Sequence, residues 1–217
     1  MNETPISVDE ERLYKTLERT RQLHRAVAKL TSEVVPIAEP RFIVSLQSGI
    51  LSMEHAIGAH ALLTQGLYAS GFSLYRPQFE TLVRGIWLLH AATDGWIEKF
   101  SQPLTIANAK KADQAPMLKE MLGQLERSEA PDHLVQQLTQ YRDVTWKALN
   151  SFAHGGIHPI SRTLEGYPPE LAIDSVRNSN ALVTIAAQLI SIVSCEPPNM
   201  EPIRQLHIEF ADCIPIA

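Results

Sequence analysis

A chain of 217 residues, 45% hydrophobic and 20% charged, is long enough to bury one sizeable core and too short for two independent enzyme domains. That apolar share excludes a disordered chain, and a formal net charge of -5 excludes a strongly cationic nucleic-acid binder. Two cysteines, Cys195 and Cys213, without CxxC spacing exclude a disulfide scaffold and a four-thiolate zinc site, and suit a reducing cytoplasm.

The first fifteen residues are polar and acidic where a secretion signal needs a basic start and an apolar stretch, so no export is expected. Ser7 and Glu10 have capping-box spacing. Leu13, Leu17, Leu23, Val27 and Leu30 then mark a long amphipathic first helix as far as Pro36, its other face mixing basic and acidic residues as a solvated surface does. A second helix is expected from Arg41 to Ser70, with Gly49, Gly58 and Gly66 on one side as a packing seam and Gly71 as its break. A third runs from Phe72 to about Ala92, with Pro77 in its first turn. Asp94 caps a short helix. Residues 104–130 are the least hydrophobic stretch and are expected as short helices and mobile loops.

A long helix follows from Pro131 to His154, stopped by Gly155 and Gly156, then a loop over 157–169. The last long helix spans Glu170 to Ser194. Its most apolar part, Ala181 to Cys195, falls short of the roughly 20 residues that cross a bilayer, so no membrane partner is expected. A short helix from Met200 to Phe210 lies in a C-terminal extension, 199–217. No period-2 strand of convincing length occurs, and the expectation is one all-α domain over 1–217: a bundle of about five long helices with shorter ones between them.

Two polar constellations stand out. Arg76, Glu80 and Arg84 follow at i, i+4 and i+8 on one face of the third helix, while Leu82, Val83, Ile86, Trp87, Leu88 and Leu89 make that helix apolar nearly all round. A buried arginine is expensive unless paired, so Arg84 either pairs with Glu80 in a structural network or lines a cleft for an anion. Asp143, Lys147, Asn150 and His154 follow along the 131–154 helix. His154 in the last turn suits either an acid-base or phosphate-binding role, or a plain C-cap. His158 lies four residues further on, but Gly155-Gly156 and Pro159 break the helix that would align the two, and no Glu-x-x-His pair occurs. No metal and no cofactor are expected. The arrangement left open is a three-histidine site from His154, His158 and a distant histidine.

The segments Tyr75-Arg-Pro-Gln-Phe-Glu80-Thr-Leu-Val-Arg84-Gly-Ile-Trp and Asn150-Ser-Phe-Ala-His154-Gly-Gly resemble bacterial all-helical domains allied to the HEPN superfamily. The resemblance implies a HEPN-like bundle, a homodimer, and a metal-independent endoribonuclease or RNA-binding component of a toxin or antiphage system. By that resemblance Arg84 holds the scissile phosphate, His154 acts as general acid or base and Asn150 orients them, with Arg76, Glu80 and His158 in the supporting network. Leu149 stands where the family motif has its arginine. This implies a weak or lost activity, or a charge supplied by Arg84. The alternatives are a non-catalytic helical scaffold or binding protein with a buried polar network, and a binder of a small anionic ligand.

Overall fold

The computed structural model describes residues 7–103, 105–106, 115–196 and 200–215. Within them run α1 (Val8–Thr31), α2 (Pro40–Leu63), α3 (Tyr68–Ser73), α4 (Tyr75–His90), α5 (Asp94–Ser101), α6 (Leu118–Leu125), α7 (Asp132–Ala153), α8 (Ile157–Glu165), α9 (Pro169–Ile192) and α10 (Glu201–Glu209), with no strand among the described residues. The all-α bundle required by the 3.6-residue periodicities is what forms. Residue 104 and residues 107–114 of the expected mobile stretch, and the Pro197-Pro198 stop, lie outside the described residues.

The helix starts follow local chemistry. The Ser7 hydroxyl accepts the Glu10 N–H at 3.2 Å and the Glu10 carboxylate accepts the Ser7 N–H at 2.8 Å, closing the capping box of α1. Pro40 and Pro169 open α2 and α9, where a missing N–H costs nothing. Thr93, rather than Asp94, occupies the N-cap of α5; Asp94 instead accepts from Arg41 Nη2 at 3.0 Å, tying α5 to α2.

The break between the second and third helices falls earlier than expected. Gly66, at φ +76°, carries the chain out of α2, a conformation glycine adopts without steric cost. Gly71 instead lies inside α3, where a Cβ would stand 2.9 Å from Leu63 Cγ and 3.1 Å from the Ala59 carbonyl. Of the expected glycine seam, Gly49 meets Ile190 and Gly58 meets Leu74, whereas Gly66 belongs to the turn. The expected loop at 157–169 is also partly helix. Pro159 sits in the first turn of α8, where its lack of an N–H is harmless.

The core is built around α4, which α2, α6, α7 and α9 enclose. Phe79, Leu82, Val83, Ile86, Trp87 and Leu88 are at most 1% exposed. The apolar girth of α4 is therefore covered within one chain and does not by itself require a second copy. Several of the polar groups buried with it are paired across helices. Gln78 Nε2 donates to the Ser179 carbonyl and the Ser179 hydroxyl to Gln78 Oε1, joining α4 to α9. Asn180 Nδ2 donates to Thr20 Oγ1 and the Cys213 carbonyl, joining α9 to α1 and the C-terminal segment. Trp87 Nε1 donates to Gln124 Oε1 at 2.7 Å and fixes α6 against α4. Among the described residues no helix is long and apolar enough to cross a membrane.

Candidate anion-binding cleft

The polar ladder of α4 emerges from this core on the side facing α6 and α7. Arg76 Nε donates to Glu80 Oε1 at 3.0 Å, and both side chains are about one-quarter exposed, 23% and 27%. The pairing expected between Glu80 and Arg84 is thus made with Arg76, one turn toward the helix start. Arg76 is held on two further sides. Its guanidinium lies over the Trp146 ring, 5.1 Å from the centroid, and Nη1 contacts His154 Nε2. A guanidinium has no acceptor, so in this contact Arg76 is the donor.

Arg84 lies two turns beyond Arg76, about 12 Å along the helix axis. It is half-buried, and its Nε is buried with no hydrogen-bond partner. Among the described residues it forms no ion pair. Burial pulls its guanidinium below the usual arginine range, and the Glu80 carboxylate opposes that shift. The side chain borders a cleft of about 480 Å³ that also takes in Arg76, Glu80, Lys119, Arg142, Asp143 and Trp146. Four cationic side chains there face two carboxylates, in a chain whose net charge is -5. Glu80 is engaged by Arg76, and Asp143 accepts from Arg142 Nε and Nη2 at 2.8 and 2.6 Å. The positive excess is left at Arg84 and Lys119.

The first turn of α6 forms part of the same wall. The Met117 N–H is taken by the Glu120 carboxylate, while Leu118 and Lys119 are the first two helical residues and have no intrahelical acceptor for their N–H groups. The positive end of the helix dipole is added to the side-chain charge.

The remaining expected residues are distributed as follows. His154 is the C-cap of α7, exposed, its N–H donating to the Asn150 carbonyl at 3.1 Å; Gly155 follows at φ +63°. Asn150 is half-buried on the last turn. His158 lies in the first turn of α8, its N–H donating to Ser151 Oγ and its ring 6.0 Å from Phe152; it borders a neighbouring cleft. The structure brings His154 to Arg76, whose Nε is held by Glu80, and leaves Arg84 apart from it along α4. Among the described residues no three His, Cys, Asp or Glu side chains converge as a metal site would require. Lys119, Arg142 and Trp146 were not anticipated. Arg142 and Trp146 share one face of α7 at i, i+4, a signal present in the sequence; nothing local connects Lys119 to that face.

A family model described as "Family of unknown function (DUF6988)" matches residues 49–216, and the chain belongs to that family. The matched span contains all of α4, α6 and α7, hence every cleft residue. The match names no activity and makes no connection with the HEPN superfamily. No curated protein and no solved structure matches the chain.

Proposed function

We propose that this DUF6988 member is a cytoplasmic binding protein whose α4/α6/α7 cleft receives a phosphate-bearing ligand, with Arg84 as its anchor. The observation that carries this is the Arg84 guanidinium, half-buried, unpaired and with an orphaned Nε, beside a cleft with a positive excess. Removing a guanidinium from water without a partner costs free energy that an incoming oxyanion recovers. Its planar fork grips two phosphate oxygens at once, and the open N–H groups of α6 and Lys119 add donors on the opposite wall. The free state of both Cys195 and Cys213 suits the reducing compartment.

The phosphate belongs to either a free nucleotide or an RNA strand, and titration calorimetry separates the two. Arms containing inorganic phosphate, pyrophosphate, a nucleoside triphosphate and a short single-stranded RNA are compared at one ionic strength. Arg84→Gln is expected to abolish binding with an unchanged circular dichroism spectrum, and Arg84→Lys to weaken it by about tenfold, because lysine keeps the charge and loses the fork. Saturation by RNA alone assigns the strand. Undiminished binding in Arg84→Gln, or no binding in any arm, overturns the proposal.

A metal-independent ribonuclease is a second reading, favoured by the contact between Arg76 and His154. An arginine beside an imidazole is a pair suited to phosphodiester cleavage without metal. In this arrangement Nε2 of His154 is occupied by Arg76, so proton transfer falls to Nδ1, and Arg84 contributes nothing at that point. RNA cleavage that survives chelator and falls by roughly 10² or more in His154→Ala supports it. Intact RNA in the same assay leaves the binding role.

A further inference from the structure

The groups that border the α4/α6/α7 cleft follow one another in a chemical order. Arg76, Glu80 and Arg84 succeed each other turn by turn along about 12 Å of helix axis. Phe79 meets Tyr141 with ring centroids 4.6 Å apart, and the Arg76 guanidinium lies over Trp146, so α7 runs antiparallel to α4. Arg142 and Asp143, about one turn before Trp146, therefore stand between the Arg76 and Arg84 ends of the ladder. Helix α6 is tied to α4 at Trp87, three residues beyond Arg84, and brings Lys119 to the same cleft. One end thus carries a guanidinium over an indole, the middle two carboxylates, and the other end an unpaired arginine. Each carboxylate is engaged through a single oxygen. Arg76 donates to Glu80 Oε1, and Arg142 donates twice to Asp143 Oδ1. Among the described residues no hydrogen bond reaches Glu80 Oε2 or Asp143 Oδ2.

We infer that the ligand of this cleft is a ribonucleoside monophosphate, with its base against the Arg76–Trp146 pair, its ribose hydroxyls on the free carboxylate oxygens and its phosphate on Arg84. The inference rests on the phosphate-binding reading of the cleft and adds what the phosphate is attached to. Aromatic rings and guanidinium planes are the surfaces on which nucleobases stack. Two carboxylates repel a bare phosphate, whereas a ribose diol offers the donors that a carboxylate oxygen accepts. A cleft of about 480 Å³ falls within the range of small-molecule sites and exceeds what an inorganic phosphate fills. Charge selects a single phosphate over a strand. Arg76 and Arg142 are neutralised by their carboxylate partners, so the excess at Arg84 and Lys119 matches one monoester phosphate, of charge about -2. The neighbouring phosphates of an RNA strand would meet Glu80 and Asp143.

Titration calorimetry of the full chain tests it with adenosine monophosphate, its 2′-deoxy form, ribose 5-phosphate, inorganic phosphate and a short single-stranded RNA. Adenosine monophosphate is expected to bind at least about fivefold more tightly than ribose 5-phosphate, the share of base stacking. It is expected to exceed its 2′-deoxy form by at least about fivefold, the share of a hydrogen bond to a charged acceptor. Trp146→Leu, with an unchanged circular dichroism spectrum, loses the first preference, and Trp146→Phe keeps part of it. The second preference falls to unity when Glu80→Ala and Asp143→Ala are combined. Carboxylates that only balance charge would instead leave the preference intact and raise the affinity for both sugars alike, which overturns the inference. The comparisons on the unaltered chain decide even where a variant fails to fold. Equal binding of adenosine monophosphate and ribose 5-phosphate, or of the ribose and deoxyribose forms, overturns the inference and leaves the phosphate reading standing. Tighter binding of the RNA than of the monophosphate gives the cleft to a strand and also overturns it. No binding in any arm removes both readings.

Discussion

His24 shows how one side chain couples this fold to pH. It lies on α1 at 8% exposure, edge-on to His60 with ring centroids 5.6 Å apart, and its Nε2 has no hydrogen-bond partner. Burial lowers its pKa from 6.5 to about 3, and the proximity of His60 acts in the same direction. The folded state therefore holds His24 neutral where the unfolded chain binds a proton, so stability is full above pH 6.5 and drains away as pH falls toward 3. The loss approaches about 1.4 kcal/mol per pH unit within that window. His24→Leu, of similar volume and without the orphaned nitrogen, is expected to stay within about 1 kcal/mol of the parent at pH 7 and to flatten the dependence below pH 6. Urea midpoints from pH 4 to 8 measure both, and a parallel fall in the variant would place the acid lability elsewhere. At the cleft, Glu80 makes its ion pair with Arg76 at about one-quarter exposure, which is neither solvated nor sealed. Glu80→Ala is expected to cost about 1–2 kcal/mol, between the ranges for exposed and buried pairs. An unchanged denaturation midpoint would mean that the pair contributes nothing.

Elements that present a regular apolar face to the core, such as α1, α7 and α9, are legible in the sequence because burial enforces their period. Those that depart from it are not. Ile157, Ile160 and Leu164 of α8 point into water, so the segment reads in sequence as a loop marked by Pro159. The sequence points to Gly71 rather than Gly66 for the α2–α3 break, because the letter does not distinguish a glycine needed for positive φ from one needed for space. Likewise the i, i+4, i+8 ladder located one wall of the cleft, yet the pairing of Glu80 with Arg76 rather than Arg84, and the arrival of Lys119 and His154, are decided by helix packing. Gly85 illustrates the space requirement at the α2/α4/α9 crossing. A Cβ there would stand 2.7 Å from Leu189 Cδ2, 3.0 Å from Ser48 Cβ and 3.3 Å from the Ser45 carbonyl. Gly85→Ala is therefore expected to lose about 1–3 kcal/mol to overpacking, even though alanine favours helix by about 1 kcal/mol. Gly95 in α5 has nothing within 4 Å of the same position, so Gly95→Ala is expected to gain up to about 1 kcal/mol. Melting temperatures that move in opposite directions would bear out the distinction; a gain at Gly85 would show that the crossing relaxes.

At the scale of the whole molecule, the family match begins inside α2 while the packing begins at α1. Leu13 and Leu17 of α1 join the cluster that holds Ala172, Ile173 and Val176 of α9, and Leu23 and Val27 join the main core around α4. Thr20 accepts from Asn180, and Arg19 donates to Asp212 at 2.7 Å with its guanidinium over the Phe210 ring. Helix α1 thus joins both apolar clusters and clamps the C-terminal segment. Burying four aliphatic side chains contributes about 1.5–3 kcal/mol each, together comparable with the roughly 5–15 kcal/mol that separates folded from unfolded domains. A chain beginning at residue 36 is accordingly expected to lose its cooperative urea transition, with part of its helical signal kept and its apolar α9 face exposed to hydrophobic dye. If that shortened chain melts cooperatively near the midpoint of the full one, α1 is an accessory strap, and the anion cleft rests on the matched span alone.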